Sequence, residues 1–215
     1  MMDVIYIFGA GEMGGPKPVI PSNAFVIAAD AGLNYLRAVG IEPDLTVGDF
    51  DSLGKIPLGV NVVVHNPEKN ETDMLLAANE ALSRRAKHIV IYGGTGGRPD
   101  HEFANIQTLA YIANRGAKGY LIGRGSVITV IKNSSLAFPA QATGVISVFC
   151  VGDRAEGVDL TGLKYPLKNH TLSCDFPLGV SNEFIGAPSE VSVKNGLLAV
   201  MWSYEAFDFE AMLGI

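Results

Sequence analysis

The most informative segment of the sequence is Pro43-Asp44-Leu45-Thr46-Val47-Gly48-Asp49-Phe50-Asp51-Ser52. A short apolar strand runs into a glycine here, and two aspartates follow with one residue between them. Because side chains alternate along an extended backbone, Asp49 and Asp51 are expected to project to the same side. Two carboxylates about 5–6 Å apart repel each other by roughly 3 kcal/mol unless a cation or a shared proton lies between them. Mg²⁺ prefers such oxygen ligands, although the same residue types also favour a simple turn.

The composition indicates a globular protein with one large domain or two small ones. The chain has 215 residues, of which 48% are hydrophobic and 18% are charged, so it has ample material for a core. The net charge of −6 argues against a nucleic-acid-binding protein. No apolar run has the length of a membrane span and no signal peptide is recognisable, so a cytoplasmic protein is predicted. Cys150 and Cys174 lack the spacing of a metal site and are expected to be buried thiols.

The first glycine cluster formally matches a dinucleotide-binding fingerprint. The apolar strand Val4–Phe8 ends in Gly9-Ala10-Gly11-Glu12-Met13-Gly14, a GxGxxG pattern. The fingerprint requires its last glycine to open a helix. The residues that follow include Pro16, Pro18 and Pro21, and each proline inside a helix would cost ~3 kcal/mol. We therefore predict an irregular loop, which disfavours a nicotinamide- or flavin-dependent oxidoreductase.

Strands and helices alternate along the first part of the chain, which predicts a parallel sheet with helical crossovers. Thr72 is a good N-cap for a helix that begins at Asp73, where the helix dipole favours an anion whatever its function. Farther on, the strand His88–Tyr92 leads into Gly93-Gly94-Thr95-Gly96-Gly97-Arg98. Such glycine-rich loops can form backbone nests that bind phosphate. A second long helix is expected to begin at Asp100.

The pattern changes after residue 125, where short apolar segments of strand length alternate with turns. Asn195-Gly196 lies between two of these segments and predicts a β-hairpin. We expect an α/β fold: a parallel-sheet nucleotide-binding domain over residues 1–125, followed by a smaller all-β sandwich or barrel over residues 126–215.

Acidic residues follow the ends of several predicted strands or begin the next helix. They are Asp30, Asp49, Asp51, Asp73 and Asp100. The carboxyl ends of parallel strands share one edge of a sheet, so these carboxylates can converge. Lys69, Arg98 and the glycine loop would add positive groups at the same edge. Carboxylates for Mg²⁺ together with cations for phosphates suit phosphoryl transfer.

Several segments together resemble the thiamine diphosphokinase (thiamin pyrophosphokinase) family, in that family's order and over nearly the whole chain. The N-terminal ones are Ala29-Asp30-Ala31-Gly32, Gly48-Asp49-Phe50-Asp51-Ser52, Glu68-Lys69 with Thr72-Asp73, and the glycine loop through Asp100-His101. The C-terminal ones are Gly162-Leu163-Lys164-Tyr165-Pro166-Leu167 and Val180-Ser181-Asn182-Glu183-Phe184. The resemblance implies transfer of the diphosphoryl group of ATP to the hydroxyl of thiamine, giving thiamine diphosphate and AMP. It also implies an ATP- and Mg²⁺-binding α/β domain, a thiamine-binding β domain, and a homodimer with active sites between subunits.

The resemblance also assigns roles to individual residues. Asp49, Asp51 and Asp73 resemble the family's Mg²⁺ ligands, and with Arg98 and Asp100 they form the expected catalytic set. The residues that resemble contacts of ATP or its metal are Asp30, Lys69, Thr72, Arg98 and Asp100, and Gly94 and His101 are further expected contacts of ATP. Ser181 and Asn182 resemble the thiamine-binding pair. Asp100 is the first candidate for a general base, and Trp202 is a core residue or a partner of the thiamine ring.

Two other functions share part of this pattern. A different Mg²⁺-dependent nucleotide enzyme would keep the N-terminal constellation, and the Ser181-Asn182 segment argues against it. A nucleotide-sensing module without catalysis would keep the glycine loop, but it has no need of converging carboxylates.

Overall fold

The computed structural model describes residues 3–13, 18–49, 61–64, 70–123 and 125–213. The chain divides into two compact units, residues 1–124 and residues 125–215. The longest helix in the described ranges has 16 residues, and no helix within them combines the length and hydropathy needed to cross a membrane.

The first unit is a parallel α/β sheet, as the sequence predicts. Its elements in chain order are β1 (Val4–Phe8), β2 (Phe25–Ala29), α1 (Gly32–Ala38), β3 (Leu45–Gly48), β4 (Val62–Val64), α2 (Asp73–Ser83), β5 (His88–Tyr92), α3 (Pro99–Asn114) and β6 (Lys118–Gly123). The strand order is β6-β5-β1-β2-β3-β4, and every neighbouring pair is parallel. The carboxyl ends of all these strands therefore lie along one edge.

The central strands of this unit are continuous apolar runs because both of their faces are buried in the core. Ile5, Ile7 and Phe8 of β1 are fully buried, as expected for a parallel strand with helices covering both faces.

The positions at which the helices begin follow from local sequence chemistry. The Oγ of Thr72 accepts a hydrogen bond from Leu75 N at 3.2 Å, which confirms the predicted N-cap. The helix expected at Asp100 begins one residue earlier, because proline is well tolerated at the first helical position.

The second unit consists of antiparallel β-structure. Its elements are β7 (Ser126–Lys132), β8 (Ser135–Phe138), β9 (Val145–Cys150), β10 (Arg154–Thr161), β11 (Leu167–Ser173), β12 (Gly179–Glu183), β13 (Ser189–Ser192), β14 (Leu197–Ser203), a 3-10 turn (Tyr204–Ala206) and α4 (Phe209–Leu213). One run of strands is β12-β9-β14-β7, and the other is β11-β10-β13-β8. The Phe138 ring of β8 meets the Trp202 ring of β14 edge-on at 5.4 Å between centroids. The two layers thus pack as a sandwich, and Trp202 is a core residue, only 2% exposed.

Two local predictions in this unit are wrong. The hairpin expected at Asn195-Gly196 does not form, because β13 pairs with β10 and β8 whereas β14 pairs with β7 and β9. A type I′ hairpin turn needs positive φ at both central residues, and Asn195 is not among the described residues that have it. The cysteines are free thiols, but Cys150 is only half-buried and Cys174 is exposed, since both lie at strand ends.

Gly32 tests how tightly α1 packs on the end of β1. A Cβ at this position would overlap the carbonyl oxygen of Phe8, so Gly32→Ala should destabilise the first unit by about 1–3 kcal/mol. Urea unfolding followed by circular dichroism at 222 nm measures this, since α1, α2 and α3 lie in that unit. Asn34→Ala on the exposed face of the same helix is the control, and equal midpoints for the two variants would contradict the close approach.

Candidate active site

Three carboxylates converge at the carboxyl edge of the parallel sheet. Asp30 follows β2, Asp49 follows β3, and Asp73 begins α2. Each offers one carboxylate oxygen to a group in which the three oxygens lie within 4.8 Å of one another, and each residue is half-buried. The sequence assigned Asp49 and Asp73 to a metal and Asp30 to ATP or its metal; the structure brings all three together. Asp51, the other predicted ligand, lies outside the described residues.

Asp30 owes its position to an unusual backbone conformation. Its φ of 46° is left-handed, a region that aspartate tolerates better than most residues. Its N–H donates to the carbonyl of Val47 at 2.8 Å, which ties it to β3. A Cβ on Gly48 would lie 3.2 Å from the Cα of Asp30. Gly48, the residue directly before Asp49, therefore lets the end of β3 lie close beside Asp30.

The two glycine clusters of the sequence pack against each other. Gly11 N donates to the carbonyl of Gly93 at 2.7 Å, and Glu12 N donates to the carbonyl of Thr95 at 3.0 Å. A Cβ on Gly11 would lie 2.6 Å from the Gly93 oxygen, so the close approach requires glycine. The described residues between β1 and β2 contain no helix. The first cluster thus supports the second loop, and within the described ranges it opens no crossover helix of the kind that a dinucleotide site requires.

Arg98 and Asp100 are bound to each other at the start of α3. Arg98 Nε and an Nη donate to the two carboxylate oxygens of Asp100 at 3.2 and 2.6 Å. These hydrogen bonds hold the pKa of Asp100 below its usual value and raise the pKa of Arg98. Both side chains are largely exposed, at 71% and 62%. The guanidinium can therefore exchange this carboxylate for another anion at little cost.

One cavity of about 480 Å³ joins the carboxylates to the glycine loop. Its lining includes the following residues predicted as site residues: Asp30, Asp49, Thr72, Asp73, Gly94, Arg98 and His101. Asp100 is not part of the lining and reaches the cavity only through Arg98. Lys69 lies outside the described residues, so its predicted contact with ATP stays a prediction.

Sequence reasoning missed other residues that line the same cavity, among them Gly9, Gly11, Glu71 and Asn105. Asn105 is only 6% exposed, and its Nδ2 donates to the carbonyl of Gly94 at 2.7 Å. The available signal was an asparagine at helical spacing from the apolar residues Leu109 and Ile112, on a helix that follows a glycine loop.

The predicted thiamine-binding pair lies on β12 of the second unit. Asn182 is buried, and its Oδ1 accepts from the N–H groups of Tyr165 and Glu183, both at 2.9 Å. Its Nδ2 donates to the carbonyl of Tyr165 at 2.8 Å. Ser181 is exposed, has a left-handed φ of 56°, and donates its N–H to Ser147 Oγ at 3.0 Å. Asn182 thus holds the segment around Tyr165, whereas the Ser181 side chain faces outward.

Comparison with known proteins places the fold and this site in a known context. Residues 17–121 match the family model described as thiamin pyrophosphokinase, catalytic domain, and residues 133–198 match thiamin pyrophosphokinase, vitamin B1 binding domain. The thiamine pyrophosphokinase of Bacillus subtilis (strain 168) is 31% identical over 88% of this chain and 95% of that protein. A crystal structure of thiamine pyrophosphokinase from Bacillus subtilis superposes with a TM-score of 0.79 at 31% identity, covering 93% of this chain and 98% of that one. A thiamin pyrophosphokinase structure from Geobacillus thermodenitrificans gives a TM-score of 0.75 at 29% identity, covering 93% of this chain and 97% of that one.

These matches define the chain as a transferase of the kinase class. It belongs to the thiamin pyrophosphokinase family. The enzyme predicted from the sequence, an ATP-dependent thiamine diphosphokinase, is confirmed by this membership.

The Arg98–Asp100 pair predicts a measurable titration. Arg98→Gln should raise the pKa of Asp100 back towards the ordinary value of 3.8, because the hydrogen bonds from the guanidinium are the largest cause of its lowering. Carboxyl-carbon NMR between pH 2 and pH 6 would follow the change. Asp175, whose pKa is lowered by a hydrogen bond from Ser173, is the internal control and should not move. An unchanged Asp100 titration would mean that the pair does not form in solution.

Proposed function

We propose that the chain transfers the diphosphoryl group of ATP to the hydroxyl of thiamine with the assistance of Mg²⁺. Asp30, Asp49 and Asp73 would hold the metal, together with the predicted ligand Asp51. The observation that carries the proposal is the meeting of three half-buried carboxylates within 4.8 Å on the wall of a cavity that also contains the glycine loop.

The chemistry of this cluster fits a hard divalent cation. At 4.8 Å, each pair of ionised carboxylates repels by about 3 kcal/mol at an effective dielectric constant near 20. A cation between the carboxylates would turn this repulsion into binding energy. The donors are all oxygen atoms, and Mg²⁺ binds through a few carboxylates while keeping positions for phosphate oxygens.

The residues around the cluster suggest how the chain would handle the triphosphate. The N–H groups of the glycine loop would donate hydrogen bonds to phosphate oxygens. The Arg98 guanidinium would release Asp100 and bind a phosphate through Nε and an Nη together. His101, in the first turn of α3, and Lys69 are further proposed phosphate contacts. Bound Mg²⁺ would supply positive charge to phosphate oxygens. With the thiamine hydroxyl in line with the β-phosphorus, AMP is the leaving group.

Positioning should dominate over proton transfer in this reaction. Phosphoryl transfer through a loose transition state needs little help from a base, and correct alignment of reactants alone contributes a large rate factor. Asp100 is the proposed base for the small assistance that this step requires, because the exchange that engages Arg98 with phosphate frees the Asp100 carboxylate.

The second unit is proposed to bind thiamine. Ser181 is exposed and available to a ligand, whereas the amide of Asn182 is engaged at both ends by the neighbouring backbone. We assign Asn182 the task of positioning the segment around Tyr165, and Ser181 the direct contact.

A homodimer with active sites between subunits completes the proposal. The second unit exposes several large apolar side chains, which a partner subunit could cover. They are Val145, Tyr165, Phe176, Leu178, Val180 and Ile185.

The metal assignment predicts the behaviour of Asp49→Asn. We expect turnover to AMP and thiamine diphosphate to fall by a factor on the order of 10²–10³. The rise in unfolding temperature on adding Mg²⁺ should also be lost, while the metal-free variant should be at least as stable as the parent because one repulsion is removed. Chromatography of nucleotide and thiamine products, with and without a chelator, measures the first effect.

Glu42→Gln serves as the matched control, since Glu42 is an exposed acid shortly before β3. It should leave both turnover and the Mg²⁺ response unchanged. An Asp49→Asn enzyme with normal turnover and normal Mg²⁺ demand would refute the metal assignment. Formation of ADP and thiamine monophosphate by the parent enzyme would refute diphosphoryl transfer.

A complementation experiment tests the shared active site. Asp49→Asn removes a proposed Mg²⁺ ligand from the α/β unit. Ser181→Arg places a bulky cation in the second unit, where the cationic thiamine should bind. Each variant alone should be inactive. If sites form between subunits, co-expression of the two should restore about a quarter of the parent activity, because half of the dimers are mixed and each has one intact site. No recovery in a mixed dimer verified by mass spectrometry would place each site within one chain.

A further inference from the structure

The glycine loop is held by two side chains of α3. Asn105 Nδ2 donates to the carbonyl of Gly94 at 2.7 Å, and the Glu102 carboxylate accepts from Gly96 N at 3.1 Å. The two residues are three positions apart on the helix, so they share one face. We propose that Asn105 and Glu102, here called the loop clamp, are positioning residues that orient the loop for the phosphates of ATP. The proposal rests on the proposed phosphate-binding function of the loop.

The loop clamp completes a series of fixed peptide planes. The carbonyl of Gly93 accepts from Gly11 N, that of Gly94 from Asn105, and that of Thr95 from Glu12 N. In a planar trans peptide the carbonyl and the next N–H point in opposite directions. Anchoring three successive carbonyls therefore also sets the directions of the three N–H groups that follow them. Asn105 supplies the only side-chain anchor of this kind among the described residues of the loop's surroundings.

An oriented donor is left for an anion. Within the described ranges, the N–H of Thr95, which follows the anchored Gly94 carbonyl, donates to no protein acceptor, and neither does the N–H of Gly97 at the end of the loop. Gly96 and Gly97 both have left-handed φ values, 78° and 73°, as in nests that enclose phosphate oxygens. Glu102 accepts a hydrogen bond from Gly96 N, so α3 holds this peptide in place and its N–H is not among the donors left for an anion.

Asn105 is the stronger member of the loop clamp because it is buried. Only 6% of the residue is exposed, and Gly94 is packed so closely that a Cβ there would lie 2.6 Å from Leu121 Cδ1 and 3.1 Å from Asn105 Nδ2. Loss of the amide donor would leave a carbonyl without its partner in this confined space. Rotation of that peptide towards water would then lower the free energy of the loop. This rotation would also turn the N–H of Thr95 away from the phosphate.

Steady-state kinetics with each substrate varied separately test the loop clamp. Asn105→Ala should raise KM for ATP about tenfold while KM for thiamine stays within twofold of the parent value. Asn105→Asp keeps the side-chain volume but turns an oxygen towards the Gly94 carbonyl, so it should show the same split. This isosteric variant decides the question if the alanine variant does not fold. Glu102→Ala should also raise KM for ATP, whereas Glu102→Gln retains an acceptor for Gly96 N and should stay near the parent.

Asn79→Ala is the matched structural control. Asn79 accepts a hydrogen bond of 2.7 Å from the hydroxyl of Tyr111, between α2 and α3 and away from the loop. Its loss should lower the unfolding temperature by a similar amount without changing KM for ATP. If Asn79→Ala raises KM for ATP as much as Asn105→Ala, the effect is general destabilisation and the loop clamp is refuted.

Arg98→Ala separates failure of the loop clamp from failure of the proposed function. If Arg98→Ala raises KM for ATP and both Asn105 variants leave it unchanged, the loop binds phosphate without the clamp and our inference is wrong. If none of these variants changes KM for ATP, the loop is not the phosphate site, and the proposed function of the loop is refuted together with the clamp.

Discussion

The electrostatic repulsion among three carboxylates is the constraint on which the candidate site depends. Asp30, Asp49 and Asp73 approach within 4.8 Å, and nothing in their mutual interaction favours this arrangement. The parallel sheet imposes it, since β2 and β3 are hydrogen-bonded neighbours and end at the same edge. The left-handed backbone of Asp30 and the small size of Gly48 then bring the two strand ends close. The fold thus holds anionic groups in a position that becomes favourable when a cation is bound.

Glycine serves this site through close packing as much as through flexibility. The loop after β1 and the loop after β5 follow adjacent strands, and their backbones come so close that a side chain on Gly11 would meet the Gly93 carbonyl. One loop therefore forms part of the support of the other, and α3 supplies the remaining support through Asn105 and Glu102. This explains a GxGxxG pattern that opens no helix among the described residues.

In the second unit, polar residues organise the backbone from within. Asn182 uses both ends of its amide to hold Tyr165 in place. Asn195 and Gly196 carry the chain from one sheet to the other, where a local reading predicts a hairpin. The difference has a physical cause: an Asn-Gly pair permits a tight turn, but strand partners are chosen by burial of whole apolar faces. Leu198, Val200 and Trp202 are all buried in the core of the sandwich.

Local patterns in the sequence are sufficient to predict the parallel α/β unit, the β-rich second unit, the cap at Thr72 and the family, because periodicity, capping and short motifs are local properties of the chain. The sequence also indicated that acidic residues would meet at one sheet edge, since parallel strands end on the same side. The three-dimensional structure was needed to show that Asp30 joins Asp49 and Asp73, that Asn105 holds Gly94, and that β13 and β14 lie in different sheets. These contacts join residues far apart in the chain, and their geometry depends on packing that no local pattern encodes.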